Sequence, residues 1–409
     1  MRRTSSNLLY PEAVPAATIA SIVWLDAGLV GGACLGKDAS VETISGSVDK
    51  ASIRRVLIVR LGAIGDCLRV LPALARLRAG LPDAEIGWLV EHWVAPVLEG
   101  QPAIARLHVL DRRRLAAGPA CALSEFRRMR SELHEARYDV AIDFHARLKS
   151  GIFTRASGAP LRIGFDRAAG AECNHLFTSC HVSTDDLWES RVLRNLRLVA
   201  PLGLSTGYDA EARGLRIDPG SAAWAAKWYR SNGAPAVAVF PGSSLHRRAD
   251  RWPVERWQQA LAALGDAGHA SVVVWGPSEI EIASQIAAGA GPGCTLAPPT
   301  TLPQMMALLG HFRLYLGSNT AALHMAWMQD VPAVVLIGAR PSRTDAPLPP
   351  VASVMLRAGP EPRAKLGGAA ARRAMEQIAV GDVVRAAEQL LGGAQSPARQ
   401  HFARPAPPH

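Results

Sequence analysis

Arg55-Val56-Leu57-Ile58-Val59-Arg60-Leu61-Gly62-Ala63-Ile64-Gly65-Asp66 decides the fold. Its apolar run does not alternate, which marks a strand buried on both faces, as in a parallel sheet. Two glycines then allow a tight turn, and Leu68, Leu71, Leu74 and Leu77 follow at helical spacing. Asp66 stands at the mouth of that helix, at the carboxyl edge of the strand, where open α/β sheets bind ligands. The same carboxylate would also serve simply as a helix cap, and spacing does not separate the two readings. The glycines lack the spacing of a dinucleotide fingerprint, so an NAD site is not indicated.

The alternation of strand and helix continues along the chain. Residues 86–90 and 140–144 read as further strands, the latter after a charged helix over 122–137. A second block begins past residue 215. There Val237-Ala238-Val239-Phe240 runs into the turn Pro241-Gly242-Ser243-Ser244. Strands over 271–275, 314–317 and 333–338 follow, with helices over 254–265, 279–288, 302–310 and from Thr320. This is an α/β chain of two Rossmann-like domains, with parallel sheets facing a central cleft. Gly203, Gly207, Gly214 and Pro219 punctuate the join, giving domains over 54–215 and 216–390.

Residues 1–53 read as an N-terminal extension, disordered or owed to a misplaced start, and residues 391–409 as a disordered tail. Residues 13–35 are apolar, but Asp26 interrupts them, and the clean run over 16–25 falls short of the roughly 20 residues a bilayer span takes. The 45 Lys and Arg against 35 Asp and Glu give a formal charge of +10, which suits an anionic partner or mere solubility. No basic stretch is interleaved with aromatics, so nucleic acid is not the expected partner. The six cysteines form no CxxC pair, which argues against zinc and against a disulfide framework.

Two further segments carry chemistry. Pro241-Gly242-Ser243-Ser244 precedes His246, Arg247, Arg248 and Arg251, so backbone amides, hydroxyls and guanidinium groups converge where phosphate could be held. A solvated basic loop is the plainer reading. In Gly317-Ser318-Asn319-Thr320-Ala321-Ala322-Leu323-His324 the chain passes from strand to helix, and His324 lies one turn after Thr320 on the same face.

These segments, in this order, resemble glycosyltransferase family 9, the lipopolysaccharide heptosyltransferases. The likeness takes in Tyr138-Asp139-Val140-Ala141-Ile142-Asp143-Phe144 with Arg147-Leu148-Lys149-Ser150, and Arg162-Ile163-Gly164-Phe165. It also takes in Arg251-Trp252-Pro253, Trp275-Gly276-Pro277 with Glu279, and Thr320 with His324. The resemblance implies a GT-B architecture and an inverting transfer with no cofactor and no metal in the chemical step. It implies Asp66 as general base, and Gly65, Arg147, Lys149 and Ser150 on the acceptor side. It implies Ser243, Ser244, Arg251, Glu279, Asn319, Thr320, Ala321 and His324 on the donor side, with Glu279 near the ribose.

Three departures bear on the donor. The family usually reads Asp-Thr-Gly where this chain has Asn319-Thr320-Ala321, and a lysine where it has Asp250. The expected function is transfer of a heptose or related sugar from an ADP-sugar to an acidic acceptor of the Kdo-lipid A type. A changed donor, or a non-catalytic protein that binds nucleotide-sugar or glycolipid, are the alternatives. The expected setting is cytoplasmic, as a monomer in peripheral contact with the anionic inner leaflet.

Overall fold

The computed structural model describes residues 50–184, 186–211, 213–242, 249–338, 342–360 and 366–393. The chain divides into two compact units, the first running to Asp218 and also taking in Arg343–Asp345, the second holding the remainder from Pro219.

The first unit is built on β1 (Arg55–Val59), β2 (Glu85–Glu91), β3 (Arg106–Leu110), β4 (Val140–Asp143), β5 (Leu161–Phe165) and β6 (Cys180–Val182). All pairings are parallel, in the order β3-β2-β1-β4-β5-β6. The apolar run dictates the centre: Val56, Leu57, Ile58 and Val59 are wholly buried, and Leu57 pairs with Gly87 on one side and Ala141 on the other. Each such side chain contributes about 1.5–3 kcal/mol on leaving water. The helix Pro119–Glu135 packs Phe126 against Phe153 of the helix Leu148–Ala156, closing one face.

The second unit repeats the plan with β7 (Val237–Phe240), β8 (Ser271–Val273), β9 (Cys294–Leu296), β10 (Leu314–Ser318), β11 (Ala333–Leu336) and β12 (Ser353–Leu356). Its order is β12-β11-β10-β7-β8-β9, again all parallel. Trp252 and Trp257 meet edge to face at 5.0 Å in its core, and Trp252 Nε1 donates to the carbonyl of Ile378. Both sheets therefore have the Rossmann strand order. It reverses between β1 and β4 in one unit and between β7 and β10 in the other, and the carboxyl ends of those pairs are where such sheets bind ligands.

Some expectations need correction. The helix read through Leu68 to Leu77 is two helices, Ile64–Leu68 and Leu71–Gly80. Pro72 lies in the first turn of the second, where its missing N–H costs no hydrogen bond. Ile53 is buried and Lys50 Nζ donates to the carbonyl of Gly203 at 2.8 Å, so ordered structure begins before residue 54. The final helix, Val380–Gly393, buries Leu391 and so runs past the expected start of the tail.

Candidate functional site

A cavity of about 740 Å³ opens in the first unit at the carboxyl ends of β1, β2, β4 and β5. Its lining carries seven Arg or Lys side chains against three carboxylates, and Asp66 is one of the three. Asp66 does not cap its helix, whose N-cap is Ala63 with no side-chain hydrogen bond. Its Oδ2 lies 2.5 Å from Arg60 Nη2, and its Oδ1 is 3.1 Å from Arg191 Nη1 and 3.3 Å from Arg69 Nη2. Burial alone would raise its pKa, but Arg60, Arg69 and Arg191 outweigh that and hold the carboxyl well below the usual range. Asp66 is therefore ionised throughout the working pH range. Such a carboxylate can accept a proton only from a group that has itself become strongly acidic.

The turn that carries Asp66 lies against Trp93: a Cβ at Gly62 would stand 3.1 Å from that ring. Trp93 Nε1 in turn donates to Glu91 Oε2 at 2.7 Å, and Glu91 also pairs with Lys149. Glu91 is nearly buried at the end of β2, so it fixes the Lys149 ammonium at the cavity wall. On the other side, Asp143 ends β4 fully buried and accepts from the amides of His145 and Ala146, from Ser150 Oγ and from Asn174 Nδ2. Burial pushes the Asp143 carboxyl up, and these four hydrogen bonds oppose the rise. They hold the loop 145–147, with Ala146 in the left-handed region at φ 58°, so that His145 and Arg147 line the cavity. Burial, reinforced by Arg60, keeps the His145 imidazole neutral.

Of the four expected acceptor-side residues, the fold brings Arg147 and Lys149 to the cavity and leaves two elsewhere. Ser150 is fully buried; its hydroxyl accepts from the Arg147 amide and faces Asp143, closing the first turn of its helix. Gly65 lies inside its helix, where its carbonyl accepts from the amide and Nε of Arg69. Sequence reasoning missed Arg69, Arg191, Glu91 and Trp93. Arg69 had a local signal, three residues beyond Asp66 on the same helical face, and Glu91 another, directly after the strand read over 86–90.

In the second unit, Glu279 and Arg251 come together beside Gly242, at the carboxyl ends of β7 and β8. Glu279 is nearly buried; its Oε2 accepts from the Gly276 amide at 3.0 Å and its Oε1 lies 3.7 Å from Arg251 Nη2. Gly242 fits so closely that a Cβ there would stand 2.1 Å from Glu279 Oε1. At the end of β10, Thr320 is the N-cap of the helix Ala321–Trp327, and its Oγ1 is 3.4 Å from the Tyr315 hydroxyl. Tyr315 OH donates to the Ser318 carbonyl at 3.0 Å. Asn319 and Ala321 flank Thr320 half-buried, whereas His324 is buried, its ring edge-on to Trp327 at 6.5 Å. Ser243 and Ser244 lie outside the described residues. Among the described residues no group of three or more His, Cys, Asp and Glu side chains is placed to hold a metal ion, and no helix is long and apolar enough to cross a membrane.

The profile of glycosyltransferase family 9 (heptosyltransferase) matches residues 126–365. The lipopolysaccharide heptosyltransferase 1 of Pseudomonas aeruginosa is 27% identical over 289 residues, covering 69% of this chain and 78% of that protein. Among solved structures, the glycosyl transferase family 9 protein from Veillonella parvula superposes with a TM-score of 0.70 at 20% identity, over 85% of this chain and 99% of that one. The E. coli heptosyltransferase WaaC with ADP gives 0.67 at 23% identity, over 82% and 99%. The two parallel α/β units are those of the GT-B fold.

Proposed function

The chain belongs to glycosyltransferase family 9, and from that premise we propose that it is an inverting transferase that moves a heptose or related sugar from an ADP-sugar to an acidic lipopolysaccharide inner-core acceptor of the Kdo-lipid A type. The observation that carries this reading is the cavity around Asp66, with its excess of cationic side chains. Guanidinium groups bind carboxylate and phosphate in two-pronged fashion, which suits an acceptor bearing either. The profile match begins after the Asp66 turn, so the role given to Asp66 rests on its place at the sheet's reversal point and on the resemblance of the turn.

In this reading an acceptor hydroxyl beside Asp66 attacks C1 of the donor sugar while the C1–O bond to the diphosphate breaks on the opposite face. The hydroxyl proton passes to Asp66 and ADP departs with the bonding electrons. A positioned base of this kind is worth about 10²–10⁴ in rate. Arg251 and the hydroxyl of Thr320 are assigned to the diphosphate and Glu279 to the ribose. The charge of the leaving group is met by side chains, without a cofactor. An E. coli relative solved with ADP supports the choice of nucleotide.

Asn319 and Ala321 favour one second reading, a changed donor sugar, because an amide replaces a carboxylate and a methyl narrows the backbone approach. Calorimetric titration with ADP-heptose, ADP, and UDP- and GDP-sugars separates the two. Preferred binding of ADP-heptose supports the main reading, another preferred donor supports the second, and no nucleotide-sugar binding refutes both. We further propose that the enzyme works at the cytoplasmic side of an anionic membrane, where each nearby Lys or Arg would add about 1 kcal/mol. Binding to anionic liposomes should fall steeply with salt; binding that survives high salt contradicts the electrostatic contact, and no binding at low salt contradicts the membrane placement.

A further inference from the structure

Asp66 is not the only carboxylate held by the cavity's arginines. Asp345, only 3% exposed, places Oδ1 2.5 Å from Arg69 Nη1 and 3.4 Å from Arg191 Nε. Those are different nitrogens from the ones that meet Asp66, where Arg69 uses Nη2 and Arg191 uses Nη1. Two carboxylates and two guanidinium groups thus alternate in a closed ring, and Arg60 holds the remaining oxygen of Asp66. The segment that supplies Asp345 is fastened at each of its residues. The Thr344 carbonyl accepts from the Arg191 amide at 3.1 Å, and Arg343 Nη2 lies 2.6 Å from Asp186 Oδ2. Among the described residues beyond Asp218, only Arg343–Asp345 group with the first unit.

We propose that Asp345 is a positioning residue for transfer: by occupying one edge of Arg69 and one edge of Arg191, it sets how firmly those guanidinium groups grip Asp66. The proposal rests on the reading of Asp66 as the base. Among the described residues, with Asp345 in place, three guanidinium groups face two carboxylates. Without it they face one, and the freed nitrogens of Arg69 and Arg191 turn toward Asp66. The base is then held more tightly and accepts a proton less readily, so kcat falls. The cavity meanwhile becomes more positive, so an anionic acceptor binds as well as before or better. Loss of packing alone gives no such split.

The test measures kcat and the acceptor KM for Asp345→Asn, Asp66→Asn and the double variant, using single turnovers with excess enzyme for the slow ones. Asp345→Asn should lower kcat roughly tenfold, within the usual range for coupled charged neighbours, with the acceptor KM unchanged or lower. It should have no further effect once Asp66 is Asn. An unchanged kcat, a raised KM alone, or the same fold-loss in both backgrounds overturns the proposal. Wild-type turnover by Asp66→Asn instead refutes the base reading, and the proposal with it. Should Asp345→Asn fail to fold, Asp345→Ser is judged by the same criteria. Asp345→Glu, which keeps the charge, should recover most of the lost kcat, and a Glu variant that recovers none also overturns the proposal.

Discussion

Replacing Gly242 with alanine puts a methyl group where the Glu279 carboxylate now lies. The new Cβ would stand 2.1 Å from Oε1 and 2.2 Å from Cδ, closer than the 3.0 Å that real Cβ contacts essentially never breach. Either the carboxylate retreats by about an ångström or the β7 turn shifts, and overpacking of this kind costs about 1–3 kcal/mol. Retreat breaks the 3.0 Å hydrogen bond from the Gly276 amide, which being charge-assisted is worth about 1.5–3 kcal/mol. If Glu279 holds the ribose, the donor loses a similar amount, and its Kd rises roughly ten- to a hundredfold. Titration of Gly242→Ala with the ADP-sugar reads this directly. Gly87→Ala is the control: its Cβ would meet the Tyr138 hydroxyl at 1.8 Å in the first unit, so it should lower stability and leave donor affinity alone. Wild-type donor affinity in Gly242→Ala, with stability reduced as in the control, would remove Glu279 from the donor site.

The other predictions concern the first unit. Ser150→Ala should cost about 1–2 kcal/mol in urea unfolding, because the hydroxyl closes a helix turn and donates to buried Asp143, and should raise the acceptor KM less than Arg147→Ala does; full stability with a KM raised as far as in Arg147→Ala contradicts this. Arg147→Ala should do the reverse, since its pair with Glu172 is largely exposed and contributes little to stability while the guanidinium lines the cavity. Asp66 stays ionised through the ordinary carboxylate range, so kcat should show no acid limb with a midpoint near about 4 while the fold survives. His108 is buried between Glu132 and Tyr138, and burial lowers its pKa despite the pull of Glu132. The folded state then favours the neutral ring, so stability is full above the unfolded value of about 6.5 and is lost as pH falls toward the lower folded value. His108→Gln should flatten that part of the acid loss, and an unchanged slope contradicts it.

The fold was legible where a strand is buried on both faces. The runs at β1, β7 and β10 are apolar without a break, and each leads into a turn that the sequence marks with glycine, proline or serine. β6, β9 and β12 were not, because they are short and only partly buried, so no unbroken apolar run announces them. The site divides along similar lines. Asp66 lies just past the end of β1 and was a candidate from its position, whereas Arg147 and Lys149 came from the resemblance of their segment. Arg191 and Asp345 could not be read from position, because they reach the site from 125 residues beyond Asp66 and 276 beyond Arg69. Ser150 shows the opposite failure: a hydroxyl beside a basic residue looks the same in sequence whether it binds a ligand or closes a helix turn.

In the proposed function this cavity transfers a sugar with Asp66 as the base. The most direct test of this is incubation of the purified chain with ADP-heptose and a Kdo-lipid A acceptor, followed by mass spectrometry of the lipid. Acceptor heavier by one heptosyl unit is expected, with loss of that product in Asp66→Asn while donor binding persists. Undiminished product from Asp66→Asn, or no product from the wild-type chain with any nucleotide-sugar it binds, would contradict that function.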